Sequence, residues 1–486
     1  MLSKSATAVQ ELCSTIRLLI TNEIAAKIIY ILSMEDDMNT HKILDEAGYT
    51  QLANYPDIAR FAASFDWHSE EKLLENIEDE FGPAPEKLTM QDKLPYLIWG
   101  GVGSDIDYGA IEQMNTVTRL PVTMAAALMP DAHQGYAMPI GGVAALHNAV
   151  SPSFVGYDIA CRVSVSILAI DPDEFERMRP KLARDMQAVS SFGKGSGFQG
   201  RERRDHEVMY EEIWLEFNHL RNLRGLALEQ LGSSGGGNHF FDALVGEVLE
   251  ETPWLPLGVG DRFIAIMTHS GSRGVGHKMA TYYTKLAQKE TRAIAKGIPT
   301  GYEWLFLDTD AGREYWTVMQ LMGRYAQANH QLIHELFLNR SGLSRLAYYE
   351  NHHNFAWVDE EDSNIVIHRK GATPAGAGVA GIIPGTSGTP SYIVEGLGNP
   401  DSLHSSSHGA GRPHSRTEAK KRHDQEFFDY WMSELDVMHF GLAPDETFMA
   451  YKDINRVMDL QQDLVRPVAK LIPRVVIMGG KSDDGD

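Results

Sequence analysis

Residues Ile365 to Arg416 read IVIHRKGATPAGAGVAGIIPGTSGTPSYIVEGLGNPDSLHSSSHGAGRPHSR. An apolar, strand-like run is followed by an Arg369-Lys370-Gly371 turn and two Gly-rich bends, and the stretch then presses His408 against Gly409-Ala410-Gly411-Arg412. Pro413 suits a first helical position, and the patterned residues after it read as helix into Leu435. His408 therefore stands just before a helix N-terminus, where free backbone N–H groups and the positive dipole end favour an anion. Arg412 and Arg416 supply charge for phosphoryl oxygens. The composition is that of a compact site for phosphate chemistry.

Upstream blocks carry metal-ligand residue types. Met129-Pro130-Asp131-Ala132-His133-Gln134-Gly135 follows a helix expected over Ala110 to Leu120, and Asp131 and His133 alternate so as to point the same way from an extended segment. Val155-Gly156-Tyr157-Asp158-Ile159-Ala160-Cys161 offers a carboxylate and a thiol three residues apart, enough for one cation or for two bridged by the sulfur. Taken alone, a buried Cys beside a surface Asp would be the preferred explanation of this block, and the downstream histidines shift the balance.

Gly232-Ser233-Ser234-Gly235-Gly236-Gly237-Asn238-His239 can bring backbone N–H groups close to phosphate oxygens, with His239 as a ligand. His269-Ser270-Gly271-Ser272-Arg273-Gly274 tops an apolar strand, Phe263 to Met267, and precedes a helix, Val275 to Lys296, whose surface takes His277. A longer helix, Glu314 to Leu338, carries a Met and aromatic stripe read as core, together with Asn329 and His330. In Asn351-His352-His353-Asn354-Phe355 adjacent side chains diverge, so one of the two histidines is available as a ligand. The chain closes with Ala450-Tyr451-Lys452-Asp453-Ile454 and a strand from Arg474 to Met478.

The 486 residues exceed one ordinary domain, and 43% hydrophobic against 23% charged residues allow a large core. Sixty-six acidic and 44 basic residues give a net charge of −22, which excludes indiscriminate binding along nucleic acid; RNA would need a local basic groove. Cys13 and Cys161 are the only cysteines, so a disulfide framework is excluded and a reducing cytoplasm is expected. Glu11, Arg17, Glu23 and Lys27 break the N-terminal apolar pattern, which therefore reads neither as a signal peptide nor as a membrane span. Val9, Leu12, Ile16, Leu19, Ile20, Ile24, Ile28 and Ile31 instead mark an amphipathic helix. A second periodic stretch, Glu70 to Phe81, ends at Gly82-Pro83-Ala84-Pro85, so residues 1–90 are expected to be a helical accessory segment before a core over 91–486.

From the P-D-x-H block to the C-terminus, these motifs in this order resemble the RtcB family of GTP-dependent RNA ligases. The resemblance implies that His408, in Ser407-His408-Gly409-Ala410-Gly411-Arg412, attacks the α-phosphate of GTP and carries GMP as a phosphoramidate. It implies two Mn²⁺ ions, with Cys161 bridging, His269 and His353 on one ion and Asp158 and His239 on the other. Bare ligand chemistry would serve Zn²⁺, Fe²⁺ or Co²⁺ equally. Asn238, Asp242, Arg273, Lys370, Thr386, Ser391, Gly409, Arg412 and Tyr451 are implied in nucleotide binding, and Asp131 and His133 border the site. The implied substrates are an RNA 3′-phosphate or 2′,3′-cyclic phosphate and a 5′-hydroxyl, with an archease-like activator as a further partner and no membrane.

The chain departs from the family pattern at several positions. Ala160 and Arg162 replace glycines, and the arginine is expected to crowd the loop against a second cation. Tyr136 stands where many members have Lys or another residue, Asp242 stands for a Glu and Met478 for a Lys near the guanine. The competing readings are a metal-dependent phosphoesterase or nucleotidyltransferase without RNA joining, and a non-catalytic RNA-end scaffold. The expected fold class is α+β, with mixed and antiparallel sheets, outer helices, and ligands gathered from distant loops.

Overall fold

The computed structural model describes residues 39–479 apart from 45–46, 50–54, 65–66, 84–85, 194, 414–424 and 443–445. The chain divides into two compact units, Met1–Thr89 with Thr291–Lys296, and Met90–Glu290 with Gly297–Asp486. In the first, the helix Glu70–Phe81 has the bounds its periodicity predicts. Ser69 accepts from the Lys72 N–H at the start, and Gly82, at φ 87°, ends it by donating to the Glu78 carbonyl. Leu73 and Ile77 are buried with Leu44 and Ile58 in a small core of this unit. The helix expected around Val9 to Ile31, and Cys13 within it, lie outside the described residues, as do Ala84 and Pro85.

The second unit is built on two sheets, and the fold class is α+β as expected. An eight-stranded sheet runs in the order Ala380–Ile383, Ser391–Gly396, Val465–Met478, Phe240–Val248, Arg262–Ser270, Arg162–Leu168, Arg345–His352, with Met438–Phe440 paired in parallel beside Val465–Met478. A five-stranded sheet runs Leu97–Ile98, Thr123–His133, Ile140–His147, Ile365–Lys370, Asn354–Val358. The Asn351 side chain accepts from the Ile382 N–H at 3.0 Å, tying the last strand of the larger sheet towards its first. One face of that sheet packs Phe241, Ala243 and Ile266 under Phe175, Leu182, Ile333 and Phe337 of the helices Pro172–Val189 and Asp310–Ser341. The other face packs Val163, Val165, Leu244, Met267, Ile382, Ile393 and Val468 together.

Expected and observed elements differ mainly at their ends. The helix read as Ala110 to Leu120 spans Tyr108–Val117, because Asp107 caps it by accepting from the Ala110 N–H. The long helix spans Asp310–Ser341, capped by Thr309 and by the left-handed Gly342. The closing strand begins at Val465 rather than near Arg474, since a register shift between Pro473 and Val475 absorbs the proline that the sequence presents as a break. Of the helix expected after Pro413, residues 414–424 lie outside the described part, and a helix occupies Gln425–Glu434.

Sheet topology determines where the ligand motifs end up. Phe240 pairs with His269, Val163 with His269, and Val163 with Asn351, all antiparallel. Successive antiparallel strands place a start beside an end. The starts of Phe240–Val248 and Arg162–Leu168 and the ends of Arg262–Ser270 and Arg345–His352 therefore meet along one edge. His239, Cys161, His269 and His353 occupy these four positions. His353 is also where the chain leaves the larger sheet for the smaller one, which resumes at Asn354.

Candidate active site

Four of the five expected metal ligands are less than a tenth exposed. The Cys161 sulfur lies 3.1 Å from His269 Nε2 and 3.5 Å from His239 Nε2. His269 Nε2 is 3.1 Å from His353 Nε2, and His239 Nε2 is 3.0 Å from Asp158 Oδ2. Backbone carbonyls set the ring tautomers. His239 Nδ1 faces the Ser234 carbonyl at 2.7 Å, and His269 Nδ1 faces the Asn238 carbonyl at 3.1 Å. A carbonyl can only accept, so each Nδ1 donates and each Nε2 is the ring nitrogen turned inward, that of His239 toward Asp158 and that of His269 toward Cys161 and His353.

Burial pushes the His269 imidazole down to about 3 and the His353 imidazole well below its ordinary value. Both are neutral at pH 7. Burial opposes charge on Asp158 too, but hydrogen bonds from His239 and Cys161 and the nearby Arg273 outweigh it, and its carboxyl titrates below the usual range. Burial and the Asp158 charge push the Cys161 thiol well up. The result is a set of inward-facing nitrogen, sulfur and oxygen atoms packed at 3.0 to 3.5 Å, the kind of donor set that holds a divalent cation. The buried His353 Nδ1 has no hydrogen-bond partner. This N/S/O donor set fits a metal centre.

His408 is beside this cluster, its ring centroid 4.9 Å from that of His353. It follows the strand Ser405–Ser407, which pairs with Ala372–Pro374, and the intervening Gly371 donates its N–H to the His353 carbonyl at 2.6 Å. Asp131, wholly buried at the end of Thr123–His133, accepts from His408 Nδ1 at 2.6 Å and from the His408 backbone N–H at 3.2 Å. That contact holds the proton on Nδ1 and leaves the lone pair on Nε2. Lys452 anchors the Asp131 segment by donating to the Pro130 and Ala132 carbonyls at 3.2 and 2.6 Å. His133 turns to the same loop, its Nδ1 3.5 Å from the Arg412 N–H, and burial lowers its pKa to about 4.

The expected anion and nucleotide residues divide into two groups. Arg273, left-handed at φ 59°, opens the helix Arg273–Ile294 and donates through Nε to Ser233 Oγ at 3.1 Å. A Cβ on Gly235 would stand 1.8 Å from its Nη1 and 2.8 Å from His239 Nδ1, so only glycine lets the guanidinium lie against the ligand loop. Lys370 is buried, donates to the Ser153 carbonyl at 3.1 Å, and is lowered to about 8 by desolvation. Asn238 gives its carbonyl to His269 and is itself exposed.

The second group comprises Arg412, Tyr451, Thr386, Ser391, Gly409 and Asp242. Arg412 pairs with Glu446 at 3.2 Å and stands 5.4 Å over the Tyr451 ring, whose hydroxyl also reaches Glu446. The phosphate role given to Arg412 from sequence took no account of this carboxylate. Thr386 and Ser391 organise their own turn: the Ser391 hydroxyl accepts from the Gly385 N–H and Thr386 bonds Thr389. That turn lies against Gly409, where an added Cβ would be 3.3 Å from the Pro384 carbonyl. Asp242 is buried in Phe240–Val248 opposite Met267 and Val476, its Oδ1 without a partner and its carboxyl pushed well up by burial.

One expectation needs revision. Arg162 does not crowd the thiol loop against a cation. Its guanidinium reaches Glu350 at 2.9 Å, the Gly323 carbonyl at 3.0 Å and the His352 ring, because strand alternation sends it to the opposite side from Cys161. The Met and aromatic stripe of the long helix is core, and Asn329 and His330 on the same helix have contacts of their own. Asn329 bonds both the Gly232 N–H (2.7 Å) and the Gly271 carbonyl (3.0 Å), and His330 bonds the Ser270 carbonyl at 3.1 Å. The long helix thus clamps two Gly-rich loops. Polar residues on an otherwise apolar helix face were the available signal. Glu446 and the carbonyls of Ser234 and Asn238 had none.

The family description "tRNA-splicing ligase RtcB" matches residues 113–479. The chain is 29% identical over 419 residues to the RNA-splicing ligase RtcB of Escherichia coli (strain K12), covering 81% of this chain and 99% of that protein. It is 28% identical over 483 residues to the tRNA-splicing ligase RtcB of Archaeoglobus fulgidus, covering 84% and 99%. It is 31% identical over 439 residues to the RNA-splicing ligase RtcB homolog 1 of Entamoeba histolytica, covering 76% and 83%.

Proposed function

This chain belongs to the tRNA-splicing ligase RtcB family, and from that premise we propose that it is an RNA ligase joining a 3′-phosphate or 2′,3′-cyclic phosphate end to a 5′-hydroxyl end through a GMP carried on His408. The observation that carries the reading is the placing of His408 beside His353 of the Cys161, His239, His269 and His353 cluster, with Asp131 holding Nδ1 of the His408 ring.

The chain's own groups have definite tasks. Asp131 keeps the proton on His408 Nδ1, so the Nε2 lone pair attacks the α-phosphorus of GTP and pyrophosphate leaves. Arg273 and Lys370 would supply the positive charge that offsets negative charge gained by the phosphoryl oxygens. GMP then passes from Nε2 to an oxygen of the RNA 3′-phosphate. In the last step the 5′-hydroxyl attacks the activated phosphorus and GMP departs. Cys161, Asp158, His239, His269 and His353 would hold Mn²⁺, which when bound supplies charge neutralisation and orientation of phosphate oxygens. Asp242 stands where the family's base-reading Glu would and belongs to the nucleotide side in this reading. Asn238, Thr386, Ser391, Gly409, Arg412 and Tyr451 complete the nucleotide side in this reading. A cytoplasmic setting and an archease-like activator belong to the same proposal. Among the described residues no helix is long and apolar enough to cross a membrane.

Incubation with Mn²⁺ and α-labelled GTP is expected to give an acid-labile protein–GMP adduct that His408→Ala abolishes, and joining of labelled RNA ends that Cys161→Ala abolishes. Release of phosphate from RNA ends without an adduct would instead establish the phosphoesterase. RNA-end binding and biological activity that survive Cys161→Ala would establish the scaffold.

A further inference from the structure

Beside the cluster, three rings touch one another that neither the metal centre nor His408 uses. Tyr136 and Tyr157 meet edge to face with centroids 6.0 Å apart, and Tyr157 stacks on His277 at 5.2 Å and 26°. Tyr136 is 74% exposed and Tyr157 43%, and His277 is exposed on its helix. Single exposed aromatics need no explanation, but contiguous rings form a patch.

The patch adjoins the site through three separate elements. Tyr157 directly precedes Asp158, His277 stands one helical turn beyond Arg273, and Tyr136 follows His133 by three residues. The Lys370 stem passes Gly156, the residue before Tyr157, with Cε 3.8 Å from where a Cβ on that glycine would stand. Lys278, next to His277, is exposed. A net charge of −22 leaves general attraction to phosphates weak, so an RNA end needs holding forces other than charge. A π-face supplies one: any base can stack on it, whatever its identity.

We propose that Tyr136, Tyr157 and His277 form a stacking platform for an unpaired nucleobase of an RNA end, close to the phosphate being joined. The proposal rests on the RNA-ligase reading and names how that ligase grips its substrate. A base within a duplex has both faces covered, so the platform selects single-stranded ends.

The test is equilibrium binding of fluorescein-labelled single-stranded RNA to the full chain with Mn²⁺, followed by anisotropy. A 3′-phosphate strand and a 5′-hydroxyl strand each carry either normal bases or one abasic nucleotide at the terminal or penultimate position. One abasic position on at least one strand is expected to weaken binding to the wild type by about 5- to 150-fold. The Tyr136→Ala/Tyr157→Ala double variant should bind intact RNA as weakly as the wild type binds the abasic strand, and should no longer distinguish the two. Tyr136→Phe/Tyr157→Phe keeps both ring faces and should restore the distinction. Equal wild-type binding of intact and abasic RNA at every position would overturn the platform, as would an alanine variant that still discriminates. Binding rather than joining is read, so failure to form a GMP adduct would remove the ligase reading without altering this result.

Discussion

Replacing Asp131 tests how His408 is made nucleophilic, because two substitutions should rank opposite to their steric severity. Asp131 is fully buried, and its Oδ2 accepts from both His408 Nδ1 (2.6 Å) and the His408 backbone N–H (3.2 Å). Asp131→Ala removes a charge-assisted hydrogen bond worth about 1.5 to 3 kcal/mol. If that energy acts on the transition state, His408 guanylylation slows by roughly 10- to 150-fold. Asp131→Asn preserves shape, yet its amide can present N–H to Nδ1 and move the ring proton to Nε2, the attacking atom. Where an aspartate sets the tautomer of a catalytic imidazole, the amide costs about 10⁴ in rate. Asparagine should therefore be the more damaging change by at least about tenfold. The assay is the single-turnover rate of labelled GMP transfer from saturating GTP to protein, with thermal melting confirming that both variants fold. If Asn keeps near wild-type rates while Ala fails, Asp131 merely fills space and the tautomer argument is wrong.

Other expectations are independent of that one. Ala160 sits at φ 60°, a conformation that costs a non-glycine residue about 1 to 2 kcal/mol, so Ala160→Gly should raise stability to urea by about 0.5 to 1 kcal/mol after glycine's own entropy; an unchanged or lower midpoint would contradict the strain. A Cβ on Gly271 would stand 2.1 Å from Asp158 Oδ1, so Gly271→Ala should displace the carboxylate and weaken Mn²⁺ binding by about 10- to 100-fold in a metal titration, while far-ultraviolet circular dichroism stays the same. The Cys161 thiol is raised well above its ordinary pKa, and His269 at about 3 and His353 well below normal are already neutral, so the cation displaces a proton from sulfur and none from these two rings. Affinity should therefore rise with pH, by about tenfold per unit between pH 7 and 8.5. A pH-independent affinity over that range would show that the thiol is not a ligand.

Much of the site was legible in the chain because metal and phosphate chemistry demands particular residue types in short local blocks. Asp158 and Cys161, His239 after its glycines, His269 before Ser270-Gly271-Ser272-Arg273, and His408 before Gly409-Ala410-Gly411-Arg412 are such blocks, and each could be read without knowing its neighbours in space. The helix Glu70–Phe81 was equally readable, since its cap residues and apolar period are local. Strand order was not, because pairing joins segments far apart in the chain and composition does not encode which edge meets which. Antiparallel pairing alone brings the starts of two strands and the ends of two others to one edge, and so turns scattered residues into a cluster. The same non-locality hid the partner that gives each side chain its role: Asp131 reaches His408 across 277 positions, Arg162 turns to Glu350 rather than to the thiol, and Arg412 finds Glu446. Residue chemistry belongs to the sequence, whereas proton placement and charge pairing depend on distances of about 3 Å that only the packed sheets create.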